Sequence, residues 1–136
     1  MKKILTLFAI LIWLFSFSSA TWANNGSTVT YKDLVVGEGK KAVPQKVATI
    51  QLIMWENQNG KKGSQLFTTY DKDASPIKFK IGTKKMSDGL NLGILGMRVG
   101  GKRILYVPSA LNPKKASDEF PGNVDLIYEV ELLGIK

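Results

Sequence analysis

Chemistry in this chain has to be done without the two most versatile reactive side chains. Its 136 residues include no histidine and no cysteine. A Ser-His-Asp triad, a histidine general base, a thiolate nucleophile and a typical zinc site are therefore excluded, and so is disulfide bonding. The candidates that remain are of two kinds. Ser87 and Asp88 can cap the start of a helix, with Asp88 suited to the positive end of its dipole. Phe120 is a large apolar group in the otherwise polar stretch from Ser109 to Asn123. Loops of about 15 residues are uncommon in compact domains and tend to be functional.

The stretch from Met86 to Val107 positions the first of these. Leu90, Ile94 and Met97 recur at spacings of four and three, which predicts one helical face. Gly93 and Gly96 each weaken a helix by roughly 1 kcal/mol relative to Ala. The helix is thus expected to be short, with Gly100-Gly101 ending it. Ile104 to Val107 then reads as a strand. A Gly-spaced helix handed onto a strand is a packing device, because glycine lets the helix approach a sheet closely.

The other segments read as strands and turns. Val29 to Val36, Lys46 to Trp55, Gln65 to Tyr70 and Val124 to Leu133 are β-favouring. Asn59-Gly60 is the strongest hairpin signal. From Pro76 to Gly82, Ile77, Phe79 and Ile81 alternate with Lys78 and Lys80, which gives the sheet one dry and one wet face. The dry face is the natural seat for the helix. The expected class is α+β, a curved antiparallel sheet of about five strands wrapped around one short α-helix.

The N-terminus differs in kind. Met1-Lys2-Lys3 is basic, Ile4 to Phe17 is apolar, and Ser18 to Ala23 is rich in small residues. This is the pattern of a secretory signal peptide, its apolar run short for a membrane span. We expect residues 1–23 as the signal, 24–28 as a flexible tail, and one domain over residues 29–136. Cleavage after Ala20 suits the pattern nearly as well as cleavage after Ala23. A retained anchor is the alternative. The protein is expected to be exported, to the periplasm or the extracellular space.

The formal net charge is +8, or +6 without Lys2 and Lys3. Most lysine pairs sit beside turn residues, as expected for solvated turns. Nucleic acid is not expected as a partner without a basic helix or an aromatic ladder. Membrane contact is expected only through an uncleaved leader or weak attraction to anionic lipid.

Taken together, the segments resemble the FKBP-type peptidyl-prolyl cis-trans isomerases from about Val29 to Ile135. Phe67-Thr-Thr stands for the family's Phe-Asp-Ser. Pro76-Ile-Lys-Phe-Lys-Ile-Gly82 resembles its Pro-Phe-x-Phe-x-Leu-Gly strand. Gly89-Leu-x-x-Gly93-x-x-x-Met97-x-x-Gly100-x-Lys102-Arg103 resembles Gly-Trp-x-x-Gly-x-x-x-Met-x-x-Gly-x-Lys-Arg. Val107-Pro108-Ser-Ala-Leu111 and Asp125 to Leu133 match the following turn and the terminal strand. The order and spacing of the set carry the resemblance.

The resemblance implies a shallow apolar pocket that accepts a proline ring. It would contain Phe67, Ile77, Met86, Leu90, Phe120 and Tyr128, with Ile53 at its edge. The backbone N–H of Ser87 would anchor the substrate carbonyl, and Thr68 would stand for the family's Asp. Leu90 replaces the pocket-floor Trp, Ile53 a Tyr, and Asn112-Pro113-Lys114 an Ala-Tyr-Gly. The implied reaction rotates an Xaa-Pro amide, moves no proton and needs no cofactor or metal. Expected partners are proline-containing polypeptides or unfolded exported proteins, with the protein itself a monomer. The alternative is a chaperone or peptide-binding module that kept the fold but not the catalysis.

Overall fold

The computed structural model describes residues 28–112 and 122–136. The leader, residues 24–27 of the tail and Phe120 lie outside that range. In chain order the elements are β1 (Thr30–Val35), β2 (Val47–Gln58), β3 (Lys61–Thr68), β4 (Ile77–Lys80), α1 (Asp88–Ile94), β5 (Lys102–Val107), a 3-10 turn (Ser109–Leu111) and β6 (Leu126–Ile135).

β2 is the organising strand. Its Ala48, Ile50, Leu52 and Met54 alternate inward and are buried, as period-two spacing requires of a strand with one dry face. β6 pairs along one edge, while β4 and β3 share the other. The six-stranded sheet runs β1-β5-β6-β2-β3, with β4 beside β2, and every named pair is antiparallel. It holds one strand more than the approximate count expected; the class is as expected.

The β2–β3 hairpin is tighter than the run of turn residues implies. Only Asn59 and Gly60 lie outside the strands, both left-handed at φ 54° and 83°, the geometry of a primed two-residue turn. β3 accordingly starts at Lys61 rather than Gln65, and register shifts at Met54/Trp55 and Trp55/Asn57 absorb the polar residues.

α1 crosses the inner face against β5. A Cβ on Gly89 would meet Val107, and one on Gly93 would meet Leu105, so both glycines are required by the close approach. The helix ends earlier than expected. Ile94 is its last residue, and the chain turns at left-handed Gly96, φ 81°, whose N–H donates to the Ala42 carbonyl at 3.0 Å. Met97 is buried but lies beyond the helix. Gly100-Gly101 makes a second turn, into β5, rather than the helix stop. Arg103 closes the C-terminal end of α1, donating to the carbonyls of Gly93 and Leu95 at 3.0 Å each. Its guanidinium pairs with Asp33 at 2.6 Å and lies 3.9 Å from the centre of the Tyr31 ring.

Candidate functional site

The N-terminal end of α1 is built from neutral polar groups. Ser87 is the N-cap, its Oγ accepting from the Leu90 N–H at 3.3 Å. Asn91, one turn further on, is buried and holds the preceding segment in place. Its Oδ1 accepts from the Gly82 N–H at 2.8 Å. Its Nδ2 donates to the carbonyls of Thr83, Met86 and Ser87 at 2.9, 3.1 and 3.2 Å. One side chain thus folds the strand-to-helix connection into a fixed lip carrying Met86 and Ser87.

Opposite this lip stands the 3-10 turn. Between them is an open cleft of about 340 Å³ lined by Lys84, Lys85, Met86, Ser87, Asp88, Ala110, Leu111 and Asn112. Asn112 is buried, and its Nδ2 donates to the carbonyls of Val107, Pro108 and Val124 at 3.1, 3.3 and 3.1 Å. The Tyr128 hydroxyl donates to Asn112 Oδ1 at 3.2 Å. Burial pushes the Tyr128 phenol up to about 12, with the nearby Ser87 side chain pulling weakly the other way. The hydroxyl is therefore protonated at neutral pH and serves as a donor.

The sheet register decides which other expected residues share this face. Phe67 lies opposite Met54, Met54 opposite Tyr128, and Tyr128 opposite Leu105. Directly opposed residues point the same way, so these form one inward row. Ile77, opposite buried Ile50, also faces inward. Leu90, in α1, is fully buried and does not line the cleft.

Two expected positions need correction. Ile53 lies opposite Thr68 and Glu129, one residue out of step with the inward row, and a one-residue step reverses the face. Ile53 therefore points away from the pocket side, and Met54 occupies its place. The phase of Ala48, Ile50 and Leu52 carried this signal. Thr68 belongs to the same outward row, and its Oγ1 accepts from the Tyr70 N–H at 3.1 Å, so that oxygen serves a local turn. Phe120 lies outside the described residues. Asn91 and Asn112 were not singled out as site residues, because in sequence a buried, fully bonded Asn looks like any turn residue. Among the described residues, no group of three or more acidic, His or Cys side chains could hold a metal ion.

The family model of the FKBP-type peptidyl-prolyl cis-trans isomerases matches residues 38–133. The chain belongs to this family. FK506-binding protein 2 of Dictyostelium discoideum is 41% identical over 75 residues, covering 54% of this chain and 56% of that protein. The chloroplastic peptidyl-prolyl cis-trans isomerase FKBP16-4 of Arabidopsis thaliana is 34% identical over 128 residues, covering 88% of this chain and 52% of that protein. The chain thus spans little more than half the length of either relative. In fold it resembles the N-terminal domain of FKBP42 from Arabidopsis thaliana, with a TM-score of 0.68 at 23% identity over 79% of this chain and 86% of that one. The inward row carries Met54 and Tyr128, and Leu90 of α1 is buried.

Proposed function

We propose that this FKBP domain catalyses cis-trans isomerisation of Xaa-Pro bonds in exported polypeptides. The cleft between the Met86-Ser87 lip and the Leu111-Asn112 wall, whose Asn112 accepts from Tyr128, carries the reading in a chain of this family. FKBP domains in general bind proline-containing peptides. Here a proline ring would rest on Met86 and Leu111, with Phe67, Ile77, Met54 and Leu90 forming the apolar ground behind them. The Ser87 N–H, at the positive end of α1, would hold the substrate carbonyl.

The barrier to amide rotation is about 18–20 kcal/mol and comes from resonance. The catalyst has only to bind the twisted amide more tightly than either planar form. Removing water from the amide disfavours its charge-separated resonance form and helps further. No proton moves, so the absence of histidine and cysteine is no obstacle. The leader pattern from Met1 to Ala23 supports export to the periplasm, where the protein would act as a monomer on unfolded clients.

The test is exchange NMR on a panel of Xaa-Pro peptides, with and without the protein. We expect the protein to accelerate exchange in at least part of the panel. A second reading is a non-catalytic chaperone or peptide binder. It is favoured by Leu90, which offers no indole, and by Thr68, whose oxygen is engaged with Tyr70. Peptide shifts showing binding without acceleration anywhere in the panel would overturn the isomerase reading in its favour.

A further inference from the structure

The cleft is neutral along one wall and charged along the other. Ala110, Leu111 and Asn112 make the neutral wall. Asp125 accepts from the Ser109 N–H at 2.7 Å and does not line the cleft. On the charged side Lys84, Lys85 and Asp88 flank Met86 and Ser87. Lys84 donates to both Asp88 oxygens, at 3.1 and 3.4 Å, and both side chains are well exposed. The Lys85 ammonium donates to the Lys78 carbonyl of β4 at 3.0 Å. An ammonium has three N–H donors, and that bond uses one. Among the described residues the ion pairs are Lys62–Glu129, Lys84–Asp88 and Arg103–Asp33, so Lys85 has no carboxylate partner there. Nor do Lys78 and Lys80, both exposed on β4. From Ile77 to Asp88 the chain thus sets four lysines against one carboxylate.

We infer that Lys85, with Lys84, selects acidic substrates: the cleft favours Xaa-Pro segments that carry a carboxylate within two residues of the proline. The selection rests on the cleft being the peptide site proposed above, and names what enters it. Extended residues advance about 3.3–3.6 Å each. A side chain one or two positions from a proline seated on Met86 is therefore within reach of the flexible four-carbon stem of a neighbouring lysine. An arriving carboxylate takes the remaining donors of Lys85 and competes with Asp88 for Lys84. Asp88 occupies the place of a substrate carboxylate and so tempers the preference. These pairs form in open water, so they discriminate modestly and weaken with salt.

The test uses one peptide frame, Xaa-Leu-Pro-Xaa, with both Xaa positions Glu, Gln or Lys. Glu and Gln differ in charge and hardly in size. Dissociation constants are read from NMR shifts, and exchange rates from the same samples. At low salt the Glu peptide should bind about three- to tenfold more tightly than the Gln peptide, and the Lys peptide more weakly than either. The gap should close at about 1 M salt. Lys84→Glu/Lys85→Glu should invert the order. Lys32→Glu/Lys40→Glu changes the net charge equally, but Lys32 is on β1, at the opposite edge of the sheet from β4, and neither lysine lines the cleft. That variant should keep the order. Asp88→Asn, which frees Lys84, should tighten the Glu peptide about two- to threefold. Equal affinity for the three peptides at low salt overturns the selection, and so does an equal loss of preference in both double variants. Preferential binding without faster exchange upholds the selection and sinks the isomerase reading. Faster exchange without preference does the reverse. If no peptide binds, both fall.

Discussion

The two ends of α1 solve the same problem in opposite ways. A helix leaves orphan carbonyls at its C-terminus and orphan N–H groups at its N-terminus. At the C-terminal end the carbonyls of Gly93 and Leu95 are closed off by Arg103, a buried charge paired with Asp33 and stacked on Tyr31. At the N-terminal end Ser87, Asn91, Tyr128 and Asn112 are all neutral, and the end opens onto a cleft. One end is locked by a charge that has no other place to go. The other is shaped by weaker bonds and left accessible. A seven-residue helix has little stability of its own, so the lock at one end lets the other face outward.

Breaking the locked end should have the largest effect. Arg103→Met leaves two carbonyls unpaired and Asp33 without its partner, and should cost about 3 kcal/mol in urea unfolding. Arg103→Lys should recover less than half of that, because an ammonium cannot fork between a carboxylate and two carbonyls. An Arg103→Met protein as stable as the parent would remove the contrast between the ends.

The open end should show itself in alkali. Burial raises the Tyr128 phenol from 10.0 to about 12, so the folded state keeps a proton that the unfolded chain loses first. The resulting stabilisation is fully present below pH 10 and is lost as pH rises through 12. Unfolding followed from pH 9 to 12 should therefore show a decline of about 2–3 kcal/mol that Tyr128→Phe lacks. The comparison belongs in a Tyr70→Phe background, because burial and Glu131 also hold the Tyr70 phenol above its ordinary range.

The smallest effect lies on the rim of the same end. Lys84 pairs with Asp88 at 3.1 Å, but both side chains are well exposed. Lys84→Ala should shift stability by no more than about 0.5 kcal/mol. A loss as large as that of Arg103→Met would mean that the open end is held by charge after all.

How much of this was legible in the sequence depended on whether a feature had a period. The alternation of Ile77, Phe79 and Ile81, the Asn59-Gly60 turn and the inward phase of β6 all follow from spacing, and the fold class followed with them. The end of α1 did not. Met97 continues the helical spacing, but Gly96 takes a left-handed turn that donates to Ala42, a partner more than fifty positions away in the chain. The resemblance points to Ile53, but the phase of Ala48, Ile50 and Leu52 puts Met54 on the inward face. The polar ground plan of the cleft was least visible. Asn91 and Asn112 matter through the carbonyls they meet, and side-chain-to-backbone bonds leave no pattern in a sequence. The hydrogen-bonded geometry of the cleft was therefore not readable from spacing.

One feature of the strand order bears on how the molecule comes into being. β6 is the last strand in the chain, yet it lies between β5 and β2 in the sheet. A nascent chain that has reached only Val107 therefore holds a β1–β5 pair and a β2–β3–β4 group with nothing to join them. Five of the six strands can be synthesised before the sheet has a middle. Such long-range closure is slow relative to local helix or hairpin formation, so the arrival of the C-terminal segment is the step at which two separate halves become one sheet.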